Sequence, residues 1–303
     1  MNKNAPLVYV VMPNKNGIYH LAYSLESLEK TSYKNFRVVV VDNGSLDESI
    51  SYITKNYGQI KVISNTGKPG FAGGVNTGIK FALENQAEYI AIFSNDIKVQ
   101  PSWIDLALDV SHKVPGVGLI GFKEILKENE EDFFSSNPLL EGVKYGESSR
   151  AAGCLFICPS KLFYTIGLLD EDYYMYGEDN DLFARILKSK FRIIQTSIPV
   201  WHFGEGFSRG NKLLPTWLSY RNALRCSIKN EGPKRVVIML LSLLNQGCNP
   251  FYRIKKNDPN SQRLRRYNPV FNLALIIASC AWNLANMHKI LKSRREQFNC
   301  SAS

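Results

Sequence analysis

The sequence predicts an α/β fold built on a doubly wound, mostly parallel sheet that is flanked by helices. Four short apolar runs rich in β-branched residues recur in the first hundred positions, and segments with helical spacing separate them. Several runs also stop at an acid or an amide, and in a parallel sheet such side chains lie at the carboxyl edge, where ligands bind. The chain has 303 residues, of which 45% are hydrophobic, so it can bury a substantial core.

The predicted elements of the first half alternate between strands and helices, which favours parallel pairing. The predicted strands are Leu7–Met12, Phe36–Val41, Lys61–Ser64 and Tyr89–Phe93. The predicted helices between them are His20–Lys30, Leu46–Tyr57 and Gly74–Leu83. A further helix is predicted from Pro101, because a proline ring suits a first helical turn.

The second half of this region contains a polar interruption. Gly116–Gly121 is predicted as a strand, and residues 123–150, with the acidic run Glu128–Asp132, are predicted as a mobile insertion. The elements predicted after it are an ordered segment, a helix and a strand: Ala151–Ile157, Glu178–Lys188 and Arg192–Trp201.

Charge divides the chain into two predicted regions, an α/β domain at 1–205 and a basic, mainly helical extension at 206–303. The first region has a net charge of −4, and the second holds 17 Lys and Arg against 3 Asp and Glu, a net charge of +14. A basic region can bind nucleic acid or an anionic membrane surface. Here the charge alternates with long aliphatic stretches rather than forming a known nucleic-acid motif, so no nucleic acid partner is predicted.

Two apolar stretches lie in the basic region, Val236–Leu244 and Pro269–Ala285. Both are shorter than the ~20 residues that a membrane-spanning helix needs. Interfacial helices with basic flanks are therefore predicted, and for the first stretch packing against the α/β domain is an equal alternative. The six cysteines show no CxxC spacing and the N-terminus MNKNAPLVYVVMP shows no signal-peptide pattern, which favours a reducing cytoplasm. The sequence gives no indication of the oligomeric state.

Five motifs follow predicted strands or begin predicted helices. Asp42 ends the second strand, where a carboxylate can accept a hydrogen bond from a base or a ribose hydroxyl; a helix cap or a turn around Asn43 and Gly44 is the alternative. Asp96 follows Tyr89–Phe93 and could contact a metal or a substrate. Taken alone, this motif favours a turn residue instead. His202 ends the last strand and could reach a metal, although a lone histidine is more often structural.

Residues 65–78 contain five glycines ahead of a predicted helix. Glycine lets the backbone approach a ligand closely, and a helix N-terminus favours an anion. The pattern is neither GxGxxG nor a P-loop, which disfavours an NAD enzyme or an ATPase, and a flexible loop is the alternative. In the fifth motif, Glu178, Asp179 and Asp181 begin a predicted helix; for Glu178 and Asp181 a role as complements of the helix dipole is favoured.

Taken together and in this order, VVVVDNGSLD, GFAGGVNTGI, FSND, GEDND and WHFG resemble the inverting glycosyltransferases of family 2, which have the GT-A fold. The match is most similar to the rhamnosyltransferase-like branch of bacterial polysaccharide enzymes and covers about residues 7–230. As a set the motifs are highly specific for the family, and for the sugar they are only suggestive.

The resemblance implies a nucleotide-sugar site with a divalent metal. The residues that it assigns to the donor are Pro13, Asn14, Asp42, Gly70, Phe71, Gly73, Gly74, Asn76 and Asn95. Asp96 matches the last acid of the metal motif and would hold Mg²⁺ or Mn²⁺ against the donor diphosphate, with His202 as a second ligand. Ser94 stands where many members carry the first acid, which puts strict metal dependence in doubt.

Asp179 matches the catalytic base of the family, which takes the proton from the acceptor hydroxyl in a single inverting displacement. Tyr176, Glu178 and Trp201 are the residues implied on the acceptor side, with core packing as an equal alternative for the two aromatic rings.

The implied function is that of a hexosyltransferase in bacterial cell-surface glycan synthesis. It would move rhamnose from dTDP-rhamnose to a lipid-linked or polysaccharide acceptor, with region 1–205 catalytic and region 206–303 in peripheral contact with the inner face of the plasma membrane. The alternatives are another donor, such as a UDP-hexose or UDP-galactofuranose, and a non-catalytic nucleotide-sugar binder within a polysaccharide assembly complex.

Overall fold

The computed structural model describes residues 5–126, 133, 142–204, 212–252, 264 and 267–301, which form two compact units. The first unit comprises Met1–Tyr174 and Leu182–Phe207, and the second comprises Met175–Asp181 and Ser208–Ser303. The roles assigned above to regions 1–205 and 206–303 stay predictions.

The first unit is built on a single mixed sheet. Its described strands are β1 (Val8–Asn14), β2 (Phe36–Asp42), β3 (Lys61–Ser64), β4 (Tyr89–Phe93), β5 (Ile97–Val99), β6 (Val117–Leu126), β7 (Tyr145–Glu147), β8 (Leu155–Pro159) and β9 (Arg192–His202). The order is β3-β2-β1-β4-β8-β6-β9-β5, and β7 also pairs with β9. The four strands from β3 to β4 are parallel, as predicted. In the rest of the sheet β6 and β9 are parallel, and β5, β7 and β8 pair antiparallel with their neighbours.

Helices cover both faces of this sheet, so the doubly wound prediction is confirmed. They are α1 (Ile18–Glu29), α2 (Ser49–Asn56), α3 (Phe71–Glu84), α4 (Trp103–Lys113), α5 (Lys161–Ile166) and α6 (Glu178–Leu187), of which Glu178–Asp181 belongs to the second unit. Side chains alternate along β1. Val10 lies in one core cluster with Leu25 of α1 and Trp103 of α4, whereas Val11 lies in the other with Val75 of α3.

Several features of the first unit differ from the prediction. β6 extends to Leu126 and β7 lies at residues 145–147, both inside the predicted mobile insertion 123–150. Long-range pairing explains them, because both strands pair with β9 although the segment 123–150 is polar overall. The acidic run Glu128–Asp132 lies outside the described residues. In addition, β5 and α5 had no predicted counterpart, and α4 begins at Trp103 rather than at Pro101.

The second unit contains the helical extension that was predicted. Its helices are α7 (Leu213–Asn230), α8 (Pro233–Cys248), α9 (Pro269–Ala285) and α10 (Met287–Ser301). Proline opens both α8 and α9, and the Asn268 side chain caps α9 by accepting from the Phe271 amide at 2.9 Å. Among the described helices, none is by itself long and apolar enough to cross a membrane, but Pro269–Ala285 and Met287–Glu296 qualify as a pair bent by 62°.

Candidate active site

The carboxyl ends of β1, β2 and β4 bring Asn14, Asp42 and Asn95 to one edge of the sheet. Asn14 and Asp42 are partners in the parallel register, and the Asn95 amide donates to Asn14 Oδ1 at 2.7 Å. The buried Asn14 amide in turn donates to the hydroxyls of Ser45 and Ser49, at 3.2 and 3.1 Å. Asn14 therefore holds the two neighbouring loops in place and fixes the orientation of Asn95.

Asp42 forms the turn that was the alternative to a ligand contact. Its carboxylate accepts from the backbone amides of Gly44, at 3.2 Å, and Ser45, at 3.1 Å. A carboxylate has about four lone-pair sites, so these bonds leave acceptor capacity on the half-buried side chain. Its contact with the donor stays a prediction.

The glycines of the 65–78 loop are required by the packing of the loop on its own unit. A Cβ added at Gly73 would lie 1.8 Å from the Lys68 carbonyl oxygen, and one at Gly70, where φ is +112°, would lie 2.4 Å from that of Tyr174. A Cβ at Gly74 would lie 2.7 Å from the Asn43 amide nitrogen and 3.2 Å from Pro13. Such close contacts favour a fixed loop over a flexible one.

Asn76 and Phe71, both assigned to the donor, lie on α3 and contact the protein. The buried Asn76 amide donates to the Leu169 carbonyl and the Glu171 carboxylate, both at 2.9 Å, and its oxygen accepts from the Leu169 amide at 3.0 Å. Phe71 packs, partly buried, against the core cluster on that face of the sheet. Asn76 thus ties residues 169–171 to α3.

We expect Gly73→Ala to lower the free energy of unfolding by about 1–3 kcal/mol, because the new methyl group would overlap a backbone carbonyl. Alanine is intrinsically the better helix former by about 1 kcal/mol, so a loss of stability would identify the steric contact as the dominant effect. Urea denaturation measures the change. Gly58→Ala is the matched control, since nothing lies within 4 Å of its added Cβ; equal stability of the two variants would contradict the prediction.

Asp96, His202 and Glu124 form a cluster of possible metal ligands. His202 Nε2 lies 3.4 Å from the Asp96 carboxylate, and its Nδ1 contacts the Glu124 carboxylate. Glu124, Cys154 and His202 present ligand atoms within 4.8 Å of one another. Glu124 and Cys154 were not predicted. Glu124 pairs with Val200, two positions before His202 on the neighbouring strand, so the two side chains share one face of the sheet.

The electrostatics of this cluster favour a positive charge. Burial alone lowers the pKa of His202, but the carboxylates of Asp96 and Glu124 outweigh it and raise that pKa to about 10. Burial, with a smaller contribution from Glu124 and Asp96, raises the pKa of the Cys154 thiol well above its usual range. The carboxylates of Asp96 and Glu124 offer the oxygen donors that suit Mg²⁺ or Mn²⁺, so they fit the implied metal. The imidazole of His202 could serve as a further ligand only after a bound cation displaces its proton.

Trp201, assigned to the acceptor side, lies mainly in the core of the first unit. It packs edge-on against Phe203, with ring centroids 5.7 Å apart, and the Lys98 ammonium lies 4.5 Å from its ring centroid. Ile125 and Phe133 belong to the same buried cluster. These contacts are those of a core residue, which was the alternative to a role on the acceptor side.

Tyr176, Glu178 and Asp179 belong to the second unit, where α7 holds their segment. Asp179 is half-buried, and its carboxylate accepts from the backbone N–H of Asn180 at 2.8 Å. Glu178 is buried. The backbone before them is strained, with φ of +66° at Tyr176. The Asn222 amide donates to the carbonyls of Met175, at 2.8 Å, and Tyr176, at 2.6 Å. These bonds stabilise the conformation that leads into Asp179.

Asp181 has a larger role than the predicted complement of a helix dipole. It is fully buried, lies 3.1 Å from the Lys229 ammonium and accepts from the Asn230 amide at 2.8 Å. The sequence pattern did not indicate this contact, because it joins residues 48 positions apart. A buried ion pair therefore anchors the segment that contains Asp179 to α7.

Comparison with known proteins finds a matching family model and several relatives. Residues 9–138 match the model of glycosyl transferase family 2. An uncharacterized glycosyltransferase of Rickettsia typhi is 27% identical over 204 residues, which cover 62% of this chain and 60% of that protein. The glucosyltransferase WfgD of Escherichia coli, named as a UDP-Glc:alpha-D-GlcNAc-diphosphoundecaprenol beta-1,3-glucosyltransferase, is 25% identical over 212 residues, 66% of this chain and 82% of that protein.

Solved structures show a shared fold. The mannosyltransferase PcManGT of Pyrobaculum calidifontis, in complex with GDP-Man and Mn²⁺, has a TM-score of 0.57 at 16% identity and covers 99% of this chain and 87% of its own. GalNAc-T7 with UDP, GalNAc and Mn²⁺ has a TM-score of 0.62 at 14% identity, covering 94% of this chain and 58% of its own.

The chain spans about 60% of the length of the Rickettsia relatives that it matches. Residues 9–138 are thus similar to glycosyl transferase family 2, and the chain has a GT-A-like fold with a helical C-terminal extension.

Proposed function

We propose that this protein is an inverting glycosyltransferase that moves a sugar from a nucleotide diphosphate to an acceptor hydroxyl. The main support is the convergence of Asn14, Asp42 and Asn95, next to Asp96, at the carboxyl edge of the family 2 domain. Ligands of open α/β sheets bind at this edge. The donor binds along it and along the fixed glycine loop.

In the proposed mechanism Asp179 accepts the proton of the acceptor hydroxyl as that oxygen attacks the anomeric carbon. The bond from the anomeric carbon to the diphosphate oxygen breaks on the opposite face, and the anomeric configuration inverts. Asp96, His202 and Glu124 are the residues that would hold a divalent cation, which when bound neutralises charge on the diphosphate leaving group.

The acceptor in this proposal is lipid-linked, and the protein works at the inner face of the plasma membrane. The name of WfgD describes transfer to a diphosphoundecaprenol-linked sugar, which supports such an acceptor here. For the donor, the sequence resemblance supports dTDP-rhamnose, whereas WfgD uses UDP-Glc and makes a UDP-hexose the competing donor. The basic extension provides the peripheral contact with anionic lipid.

A second candidate is a non-catalytic nucleotide-sugar binder, which Ser94 favours because it replaces the first acid of the metal motif. Nucleotide-diphosphate release separates the two functions. We would incubate purified full-length protein with dTDP-, UDP- and GDP-sugars, with Mg²⁺, Mn²⁺ or EDTA. Slow, metal-dependent hydrolysis of one donor is the expected result. Binding of a donor with no turnover in the presence of lipid-linked acceptors would favour the second candidate, and no binding of any donor would contradict both.

We expect Glu124→Gln to weaken Mn²⁺ binding by about 10–100-fold, the usual cost of losing a ligand or a group that orients one. Glu124 contacts His202 Nδ1, so the substitution removes a carboxylate from the cluster and frees the imidazole to rotate. Electron paramagnetic resonance titration of Mn²⁺, alone and with UDP, measures the affinity without any turnover.

Glu147→Gln is the matched control, because Glu147 forms an exposed ion pair with Arg192 on the surface of the same sheet. It should bind Mn²⁺ as the wild type does. Equal affinity of the Glu124 and Glu147 variants would remove Glu124 from the proposed metal site.

A further inference from the structure

Helix α9 exposes apolar residues and buries polar ones. The helix Pro269–Ala285 contains no charged side chain. Its exposed side chains include Val270 at 80%, Ile277 at 60% and Leu284 at 68% relative exposure, seven residues apart, with Leu273 between the first two. A spacing of three, four and seven residues places these side chains in one stripe along the helix, which we call the α9 stripe.

The buried side of α9 contains Asn272 and Asn283, at 0% and 2% exposure, and Ser279. The Asn272 amide donates to the carbonyls of Gly247, at 2.8 Å, and Tyr267, at 2.9 Å. The Asn283 amide donates to the Arg221 carbonyl at 3.0 Å. A helix on the surface of a water-soluble domain has the reverse pattern, with its polar residues outward. Polar residues that face the bundle interior and apolar residues that face outward are typical of helices in lipid.

A second helix of the same unit repeats the exposed apolar pattern. On α8, Val237, Ile238 and Leu241 are exposed and recur within one turn. Large apolar surfaces of this kind mark interaction sites in soluble proteins.

The charge around these helices selects a lipid surface as the partner. Residues 206–303 hold 17 Lys and Arg against 3 Asp and Glu. Exposed basic side chains begin α8, at Lys234 and Arg235, and follow α9 on α10, at Lys289, Lys292 and Arg295. Basic residues near an apolar helix bind anionic headgroups, and stable anchoring takes both an apolar and an electrostatic contribution.

The length of α9 limits how far it can enter a bilayer. At about 1.5 Å per residue the helix is about 25 Å long, less than the ~30 Å of a hydrocarbon core. The chain bends by 62° between α9 and the basic helix α10. A helix of this length followed by a bend and basic residues can enter one leaflet and return to the headgroups.

We propose that α9 inserts the α9 stripe into the acyl region of an anionic leaflet, with the basic residues of α8 and α10 at the headgroups. This inference rests on the membrane location in the proposed function, and it is independent of the sugar transferred. It replaces a purely electrostatic contact by an embedded one, which predicts binding that resists salt.

Vesicle flotation of the full-length protein tests this inference. Vesicles of phosphatidylcholine with phosphatidylglycerol are used at low salt and at about 1 M NaCl, where the Debye length falls to about 3 Å. Most of the wild-type protein should stay bound at high salt. Ile277→Ser with Leu284→Ser should lower the partition coefficient at high salt by about 100-fold or more, the value expected for two exposed aliphatic side chains that become buried.

The matched control is Leu46→Ser with Leu187→Ser, which removes two exposed leucines of the first unit and should bind as the wild type does. Release of the wild-type protein at high salt would overturn the inference, even if the α9 variant failed to fold. A stripe variant that bound vesicles as the wild type does would also overturn the inference. The third contrary outcome is a wild-type protein that does not bind vesicles but forms a dimer, which the stripe variant disrupts. Flotation requires no donor, so a failure of salt-resistant binding leaves the transferase proposal intact. Salt-resistant binding without turnover of any donor would contradict only the transferase proposal.

Discussion

Asp179→Asn is expected to lower turnover by about 10²–10⁴-fold while donor affinity stays close to that of the wild type. The amide is nearly the same size as the carboxylate but cannot accept a proton from the acceptor hydroxyl. The bond from the Asn180 amide to Asp179 Oδ1 can persist in the variant, so the local backbone should be preserved. The measurements are the initial rate of nucleotide-diphosphate release with acceptor present and the donor dissociation constant by calorimetry.

Two further variants sharpen this test. Asp109→Asn makes the same chemical change in an exposed ion pair with Lys113 on α4 and should retain wild-type turnover. Glu178→Gln changes the neighbouring acid, which is buried. If Glu178→Gln lost turnover and Asp179→Asn kept it, the base would be Glu178. A parallel loss of donor affinity in Asp179→Asn would instead indicate that the side chain acts in donor binding.

The parallel part of the sheet could be predicted because local pattern and tertiary environment agree there. Lys61–Ser64 and Tyr89–Phe93 have the predicted bounds in the structure, since short β-branched runs between helices have few other stable arrangements. The end of β6 and the whole of β7 were not predicted, because they lie in a segment that is polar overall and pair there with the distant strand β9. Composition carries no information about such a partner.

The same distinction explains which site residues were found. Asp42 and His202 end predicted strands and Asp96 follows one closely, so the sequence marks them directly. Glu124 and Cys154 join the His202 cluster only through strand pairing and chain folding, and in sequence they lie in or next to a polar segment. The apolar pair Ile125 and Leu126, which follows Glu124, was the signal that could have indicated that the strand continues past Gly121.

The contacts of the Asp179 segment also arise only from the fold, and they support a second large prediction. Lys229→Met is expected to lower the free energy of unfolding by about 3–5 kcal/mol, because it leaves the fully buried Asp181 carboxylate without the cation that lies 3.1 Å away. The Asn230 amide still donates to Asp181, but a neutral donor does not replace a positive charge. Urea denaturation followed by circular dichroism measures the loss.

The double variant Asp181→Asn with Lys229→Met removes both charges and should be more stable than Lys229→Met alone, since replacing a whole buried pair is often close to neutral. Lys292→Met is the matched control, because Lys292 lies in an exposed pair with Glu296 at 3.9 Å and should change stability by no more than about 0.5 kcal/mol. If the two single variants lost the same small amount of stability, the Asp181 to Lys229 pair would not anchor the segment.

A separate outcome concerns turnover. If the double variant regained stability but not turnover, the pair would also be required to position Asp179, because the fold would then be intact and only the orientation of the base would have changed.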